Sequence, residues 1–125
     1  MKATELQIGN WVSYNDKAQQ VLEISDIDNE VYLSAAGVVD ITEVKPITLK
    51  KVHLTHNGFK ATNAEDTEFV YRDGYEIKVM IDEYVIDAMF LSIEFAEKNL
   101  WMPIEYVHEL QQAMRIMGCD KEIEL

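Results

Sequence analysis

Apolar positions fall into two rhythms along this chain. From Trp11 to Ile41 they come in short runs broken by turn formers. Trp11-Val12-Ser13-Tyr14, Gln20-Val21-Leu22-Glu23-Ile24, Glu30-Val31-Tyr32-Leu33 and Val38-Val39-Asp40-Ile41 are each rich in strand-forming side chains. Asn15-Asp16-Lys17, Asp26-Ile27-Asp28-Asn29 and Ala36-Gly37 separate them as turns. Close spacing of this kind predicts a small curled antiparallel sheet. Near the other end, Trp101–Gly118 follows a helical period. Tyr106, Val107, Leu110, Met114 and Met117 fall on one side, and Glu105, His108, Glu109 and Gln112 on the other. Pro103 suits a first helical position and Gly118 a left-handed end.

The middle supplies further elements. Pro46 ends the first sheet, and Thr48 is placed to cap a short helix over Leu49–His56. Asn57-Gly58 would close that helix, with Phe59 docking the outgoing chain on the core. Ala61–Glu65 is polar and reads as a loop. Phe69-Val70-Tyr71-Arg72, Asp73-Gly74 and Tyr75-Glu76-Ile77-Lys78-Val79-Met80-Ile81 predict a β-hairpin, since Asp-Gly favours a type I′ turn. Tyr75, Ile77, Val79 and Ile81 would line its buried face. Val85–Phe95 is a further strand region, with Met89, Leu91, Ile93 and Phe95 on one side. Leu100-Trp101-Met102 is a last short strand before a helix over Pro103–Met117, and Asp120–Leu125 is expected to fray.

The pattern Ile8-Gly9-Asn10-Trp11-Val12, then Val21-x-x-Ile24, then Val31-x-Leu33 resembles an SH3-like barrel. The fold expected is therefore α+β. Residues 1–47 form an SH3-like small antiparallel β-barrel, and residues 48–125 a helix–antiparallel β-meander–helix unit packed on it.

Charge narrows the partners. The chain carries 11 basic and 23 acidic side chains, a net charge of −12. Residues 1–63 hold 6 basic and 8 acidic groups, and residues 64–125 hold 5 and 15. A phosphate-binding surface needs clustered Lys and Arg, so direct binding to nucleic acid is not expected. No apolar run approaches the length of a membrane span, and no N-terminal hydrophobic run marks a signal peptide. Cys119 is the single cysteine, which points to a reducing, cytoplasmic setting. The oligomeric state stays open.

Catalytic signatures are missing. The five glycines, at 9, 37, 58, 74 and 118, form no phosphate-cradling cluster, and there is no Gly-x-Ser-x-Gly elbow or Cys-x-x-Cys pair. His53 and His56 would be helical neighbours, and His108 could join them with Cys119 or a carboxylate around a metal. Only two of those ligands are in register, so no metal or other cofactor is expected. Cys119, beside Asp120 at a helix C-terminus, is poorly placed as a nucleophile.

Leu6–Val12, Lys45-Pro46-Ile47-Thr48-Leu49, Gly58-Phe59 and Ile104-Glu105-Tyr106-Val107-His108-Glu109-Leu110-Gln111 together resemble a group of small uncharacterised proteins. That group is abundant in Bacteroidetes genomes and associated with prophages and other mobile elements. Its members tend to carry acidic residues and a Trp in the first helix, where this chain has Lys50, Lys51 and His53. The tail Cys119–Leu125 also departs from the group. The resemblance implies a small cytoplasmic accessory protein and brings no catalytic residues with it.

The function expected is a non-catalytic accessory or protein-binding module. Glu105, His108, Glu109 and Gln112 are the candidate interaction surface, and Trp11, Tyr14 and Tyr32 a candidate aromatic groove. Two alternatives stand beside it. One is an acidic nucleic-acid mimic that inhibits a DNA-binding protein, with the carboxylates of residues 64–125 on one surface. The other is a small enzyme or metal-binding protein using His53, His56 or His108.

Overall fold

The computed structural model describes residues 1–72, 76–81, 89–95 and 98–125, the stretch 90–100 as backbone. The fold is α+β, built from two antiparallel sheets and two helices. The chain divides into two units. The first comprises Met1–Thr48 with Tyr106–Gln112, and the second Leu49–Glu105 with Ala113–Leu125. The expected division at residue 47 left the closing helix entirely with the second unit. Its first half belongs instead to the first.

In the first unit, strands β1 (Trp11–Tyr14), β2 (Lys17–Ser25), β3 (Glu30–Leu33) and β4 (Gly37–Asp40) pair antiparallel in chain order. Asn15 and Asp16 both take positive φ, as a two-residue turn between twisted strands demands. Beyond β4 a 3-10 turn, Ile41–Glu43, is capped by Asp40, whose Oδ1 accepts the Thr42 N–H at 2.9 Å. The chain then returns beside β1, where Ser13 and Lys45 exchange both backbone hydrogen bonds, at 2.8 and 2.9 Å. Leu6, Val12, Val21, Val31, Leu33, Val39, Ile41 and Val44 form the core, as the period-2 alternation requires.

The helix α2 (Val107–Ile116) starts four residues later than the sequence predicts. Pro103 lies in a strand, paired with Phe90. That strand has a hydrogen-bonded neighbour on one side only, and an edge is where a strand tolerates a missing N–H. The helix begins instead where Glu109 reaches back, its Oε1 accepting the Tyr106 N–H at 2.9 Å. At its other end Gly118 takes φ +80°, the Cys119 N–H donates to Met114 O and the Gly118 N–H to Arg115 O. These two bonds make a Schellman motif.

The first half of α2 is tied to the first unit by consecutive glutamines. Buried Gln111 accepts the Trp11 N–H (2.8 Å) and donates to Gly9 O (3.0 Å). Gln112 donates to Glu5 O and to Asn10 Oδ1, both at 2.8 Å. Asn10 Oδ1 also accepts the Gln7 N–H (2.7 Å), so one amide gathers the loop before β1.

In the second unit, α1 (Lys51–His56) precedes strands β5 (Lys60–Ala61), β6 (Glu68–Arg72), β7 (Glu76–Ile81), β8 (Met89–Phe95) and β9 (Lys98–Ile104). They form a meander in that order. The helix begins two residues later than expected. Thr48, the predicted cap, is bridged to Tyr106, and His53 Nδ1 takes the Lys50 N–H instead, at 3.0 Å. Asn57-Gly58 ends the helix as predicted, with Gly58 at φ +85° and Phe59 N–H on Leu54 O. Phe59 and Leu54 are both buried.

Strands β6 and β7 pair as the predicted hairpin, with Ile77 and Val79 fully buried. Its Asp73-Gly74 turn, Tyr75 and residues 85–88 of the next predicted strand lie outside the described residues. Met89 begins the observed strand and is buried. The last strand is longer than the three residues expected. The tail is held rather than frayed, because Ile123 is buried and Glu124 is clamped by Asn57. No helix of the described residues is long and apolar enough to cross a membrane.

Candidate interaction surface

Side chains of a strand alternate between faces, so a sheet with one buried face presents its other residues outward. On the first sheet Val21, Val31, Leu33 and Val39 point inward. Tyr32 stands on the other side, directly opposite Glu23 of β2 and Val38 of β4. The register of β2 shifts between Val21 and Glu23, leaving Leu22 as the extra residue of a bulge. Leu22 is 44% exposed, Tyr32 43% and Val38 60%. The turn between β2 and β3 adds Ile27, at 96% exposure, between Asp26 and Asp28.

Carboxylates rim this apolar strip. Glu30 lies directly opposite Asp40, which sets two carboxylates on neighbouring strands. Hydrogen bonds from the Thr42 hydroxyl and N–H hold the Asp40 carboxyl below its ordinary pKa, so it stays ionised. Between Lys17 and Lys45 the sequence has six carboxylates, Glu23, Asp26, Asp28, Glu30, Asp40 and Glu43, and no Lys, Arg or His. Among the described residues none of the six lies within ion-pair distance of a Lys or Arg. In the second unit, by contrast, Glu76 meets Arg72 at 3.2 Å and Lys78 at 3.3 Å, which lowers its pKa through the Lys78 hydrogen bond first.

The residues singled out from the sequence are distributed differently. Trp11 and Tyr14, three apart on β1, point to opposite sides of the strand. Tyr14 packs against the core cluster beside Val12, which separates it from the outer face that carries Tyr32. With Ser13, Asn15, Asp16, Glu43 and Lys45, Tyr14 also lines a shallow polar depression of about 380 Å³. Trp11 is half-buried, its N–H held by Gln111.

Of the helical set, Glu105 is exposed, Glu109 and Gln112 are half-buried, and His108 is buried at 5% exposure. The helical wheel placed His108 and Gln112 toward solvent. Both instead face protein: His108 is buried, and Gln112 bonds to Glu5 O and Asn10 Oδ1 in the chain before β1. His108 stacks on Tyr106 with ring centroids 5.7 Å apart and planes 10° from parallel. Its Nδ1 is buried without a partner, and burial pushes its pKa down against the opposing pull of Glu109 and Glu5.

His53 is half-buried and serves the start of α1, with a pKa lowered by burial and by Lys50 and His56 nearby. His56 is exposed and Cys119 buried. Among the described residues no group of three or more His, Cys, Asp or Glu side chains is arranged to hold a metal ion. Asp73, Asp82, Glu83, Asp87 and Glu97, part of the proposed nucleic-acid-mimicking set, lie outside the described residues.

Sequence reading missed Leu22, Val38 and the carboxylates around Tyr32. The available signal was the stretch between Lys17 and Lys45, acidic throughout and empty of cations. No family model matches the chain, and neither a curated protein nor a solved structure is found to match it.

Proposed function

We propose that this chain is a non-catalytic protein-binding module. The observation that carries the reading is the strip of Leu22, Tyr32 and Val38, exposed together on an ordered sheet whose other face is a packed core. Apolar patches rimmed by polar groups mark docking surfaces more often than reaction centres. An SH3-like barrel is the architecture that belongs with this reading. It is supported by the 3-10 turn after β4 and by the Ser13–Lys45 bridge that brings the chain back beside β1. A cytoplasmic setting, as an accessory protein of a mobile element, fits the lone buried thiol of Cys119 and the resemblance noted above.

Photo-crosslinking tests the reading. A benzophenone amino acid placed at Tyr32 is compared with one at Val52, which is exposed at 62% on α1. In native-host lysate the Tyr32 probe should capture one defined protein, displaced by excess unlabelled chain. Equal capture at both positions, or none at Tyr32, would remove the support.

A further inference from the structure

We infer that the outer face of β2, β3 and β4 receives a Lys- or Arg-bearing, aliphatic segment of a partner protein. The inference rests on the protein-binding reading above and adds the chemistry of what is bound. Three observations converge. The strip of Leu22, Tyr32 and Val38 needs apolar atoms against it. Glu23, directly opposite Tyr32, and the Glu30–Asp40 pair, one step along the strands, leave cations no competitor within ion-pair distance among the described residues. The tyrosine ring itself also accepts a cation over its face.

The facing carboxylates give the partner's charge leverage. Glu30 and Asp40 stand directly opposite one another on β3 and β4. A guanidinium or ammonium seated between them meets two carboxylates at once, and hydrogen bonds between ionised partners are stronger than neutral ones. A partner segment with alternating apolar and basic residues matches the period of the sheet. A second copy of the chain does not fit, because it brings the same six carboxylates to the interface. Nucleic acid is repelled for the same reason.

The test is a titration of the full 15N-labelled chain, followed by NMR, with a synthetic peptide of about twelve residues alternating Lys or Arg with Val or Leu. Shifts should be confined to residues 22–25, 30–33 and 37–40. Affinity should fall about fivefold or more between about 50 and 300 mM salt, since exposed charges are screened over that range. Glu30→Lys should weaken binding about tenfold, and Val38→Ser about fivefold, at the level of hot-spot side chains. Glu65→Lys, an exposed residue of the second unit, changes net charge equally and should alter binding less than twofold.

Equal weakening by Glu65→Lys, or shifts spread over residues 64–125, would overturn the inference as diffuse electrostatics. A peptide with Ser in place of every cation that binds the same face equally well would overturn the basic-partner chemistry and leave the docking reading standing. Silence from both peptides together with no crosslink at Tyr32 would end the docking reading itself. A dimer in light scattering that Glu30→Lys does not disturb but Val38→Ser dissolves would assign the face to a second copy and overturn the inference.

Discussion

The side-chain amide of Asn57 closes a two-point clamp on the backbone of Glu124. Its Nδ2 donates to Glu124 O and its Oδ1 accepts the Glu124 N–H, both at 2.7 Å, while a second Nδ2 bond reaches His53 O at 2.8 Å. Asn57 is buried, so removing the amide strands several polar groups away from water. Asn57→Ala should cost about 1–3 kcal/mol by urea denaturation, the usual range for buried groups left unsatisfied. It should also make residues 121–125 the first segment to exchange amide hydrogens. Unchanged protection at Ile123 would contradict the clamp.

Gln111 should behave similarly at the other end of the fold. Gln111→Ala deletes the bonds to the Trp11 N–H and Gly9 O, and about 2 kcal/mol of stability should go with them. Gln111→Glu keeps the acceptor but loses the donor. It should expose a specific difference by hydrogen exchange: Trp11 still protected, with stability nonetheless reduced.

His108 sets a pH dependence whose sign follows from burial. Its folded-state pKa lies below the unfolded value, so the unfolded chain binds more protons as pH falls. Its contribution to stability is fully present above about pH 6.5, the ordinary histidine value, and is lost as pH falls from there through the folded pKa. His108→Phe keeps a ring against Tyr106 and removes the buried, unpartnered Nδ1. It should raise stability at pH 7 by about 1 kcal/mol, and the gap to the parent chain should widen toward pH 5. Unfolding curves for both chains across that range decide it. A gap that narrows in acid would show the histidine to be favourably charged where it sits.

Gly58 and Gly118 end their helices at φ +85° and +80°. A Cβ at Gly58 would meet the Tyr71 ring at 3.6 Å, an ordinary contact, and at Gly118 it would meet nothing within 4 Å. The penalty for Gly58→Ala and Gly118→Ala is therefore conformational and nearly equal, about 1–2 kcal/mol each. Asn, which tolerates the left-handed region, should recover part of both losses. A Gly58→Ala penalty several times that of Gly118→Ala would mean that packing against Tyr71 dominates instead.

Local chemistry explains which parts of the fold were readable. Asn15-Asp16, Gly58 and Gly118 announce their turns because few other residues adopt those dihedrals. Phe59 follows from the same logic, since the residue after a left-handed glycine packs back on its helix. Pro103 misled, because a missing N–H suits a helix start and an edge strand alike, and only sheet order separates the two. Thr48 misled because its pairing is with Tyr106, far away in the sequence. The helical wheel of α2 placed His108 and Gln112 in water. It counted hydrophobicity, whereas the flank is covered by polar contacts to Glu5 and Asn10. The outer face of the first sheet was hidden by the bulge at Leu22, which breaks simple alternation between Val21 and Glu23.

The division of α2 has a consequence for biosynthesis. Val107, Leu110 and Gln111 belong with Met1–Thr48, yet they leave the ribosome after everything between has been made. At about 5–20 residues per second, the N-terminal strands wait several seconds for their last partners. During that interval Asn10 and the Trp11 N–H have no glutamine to meet, and the nascent sheet is left to water or to a chaperone.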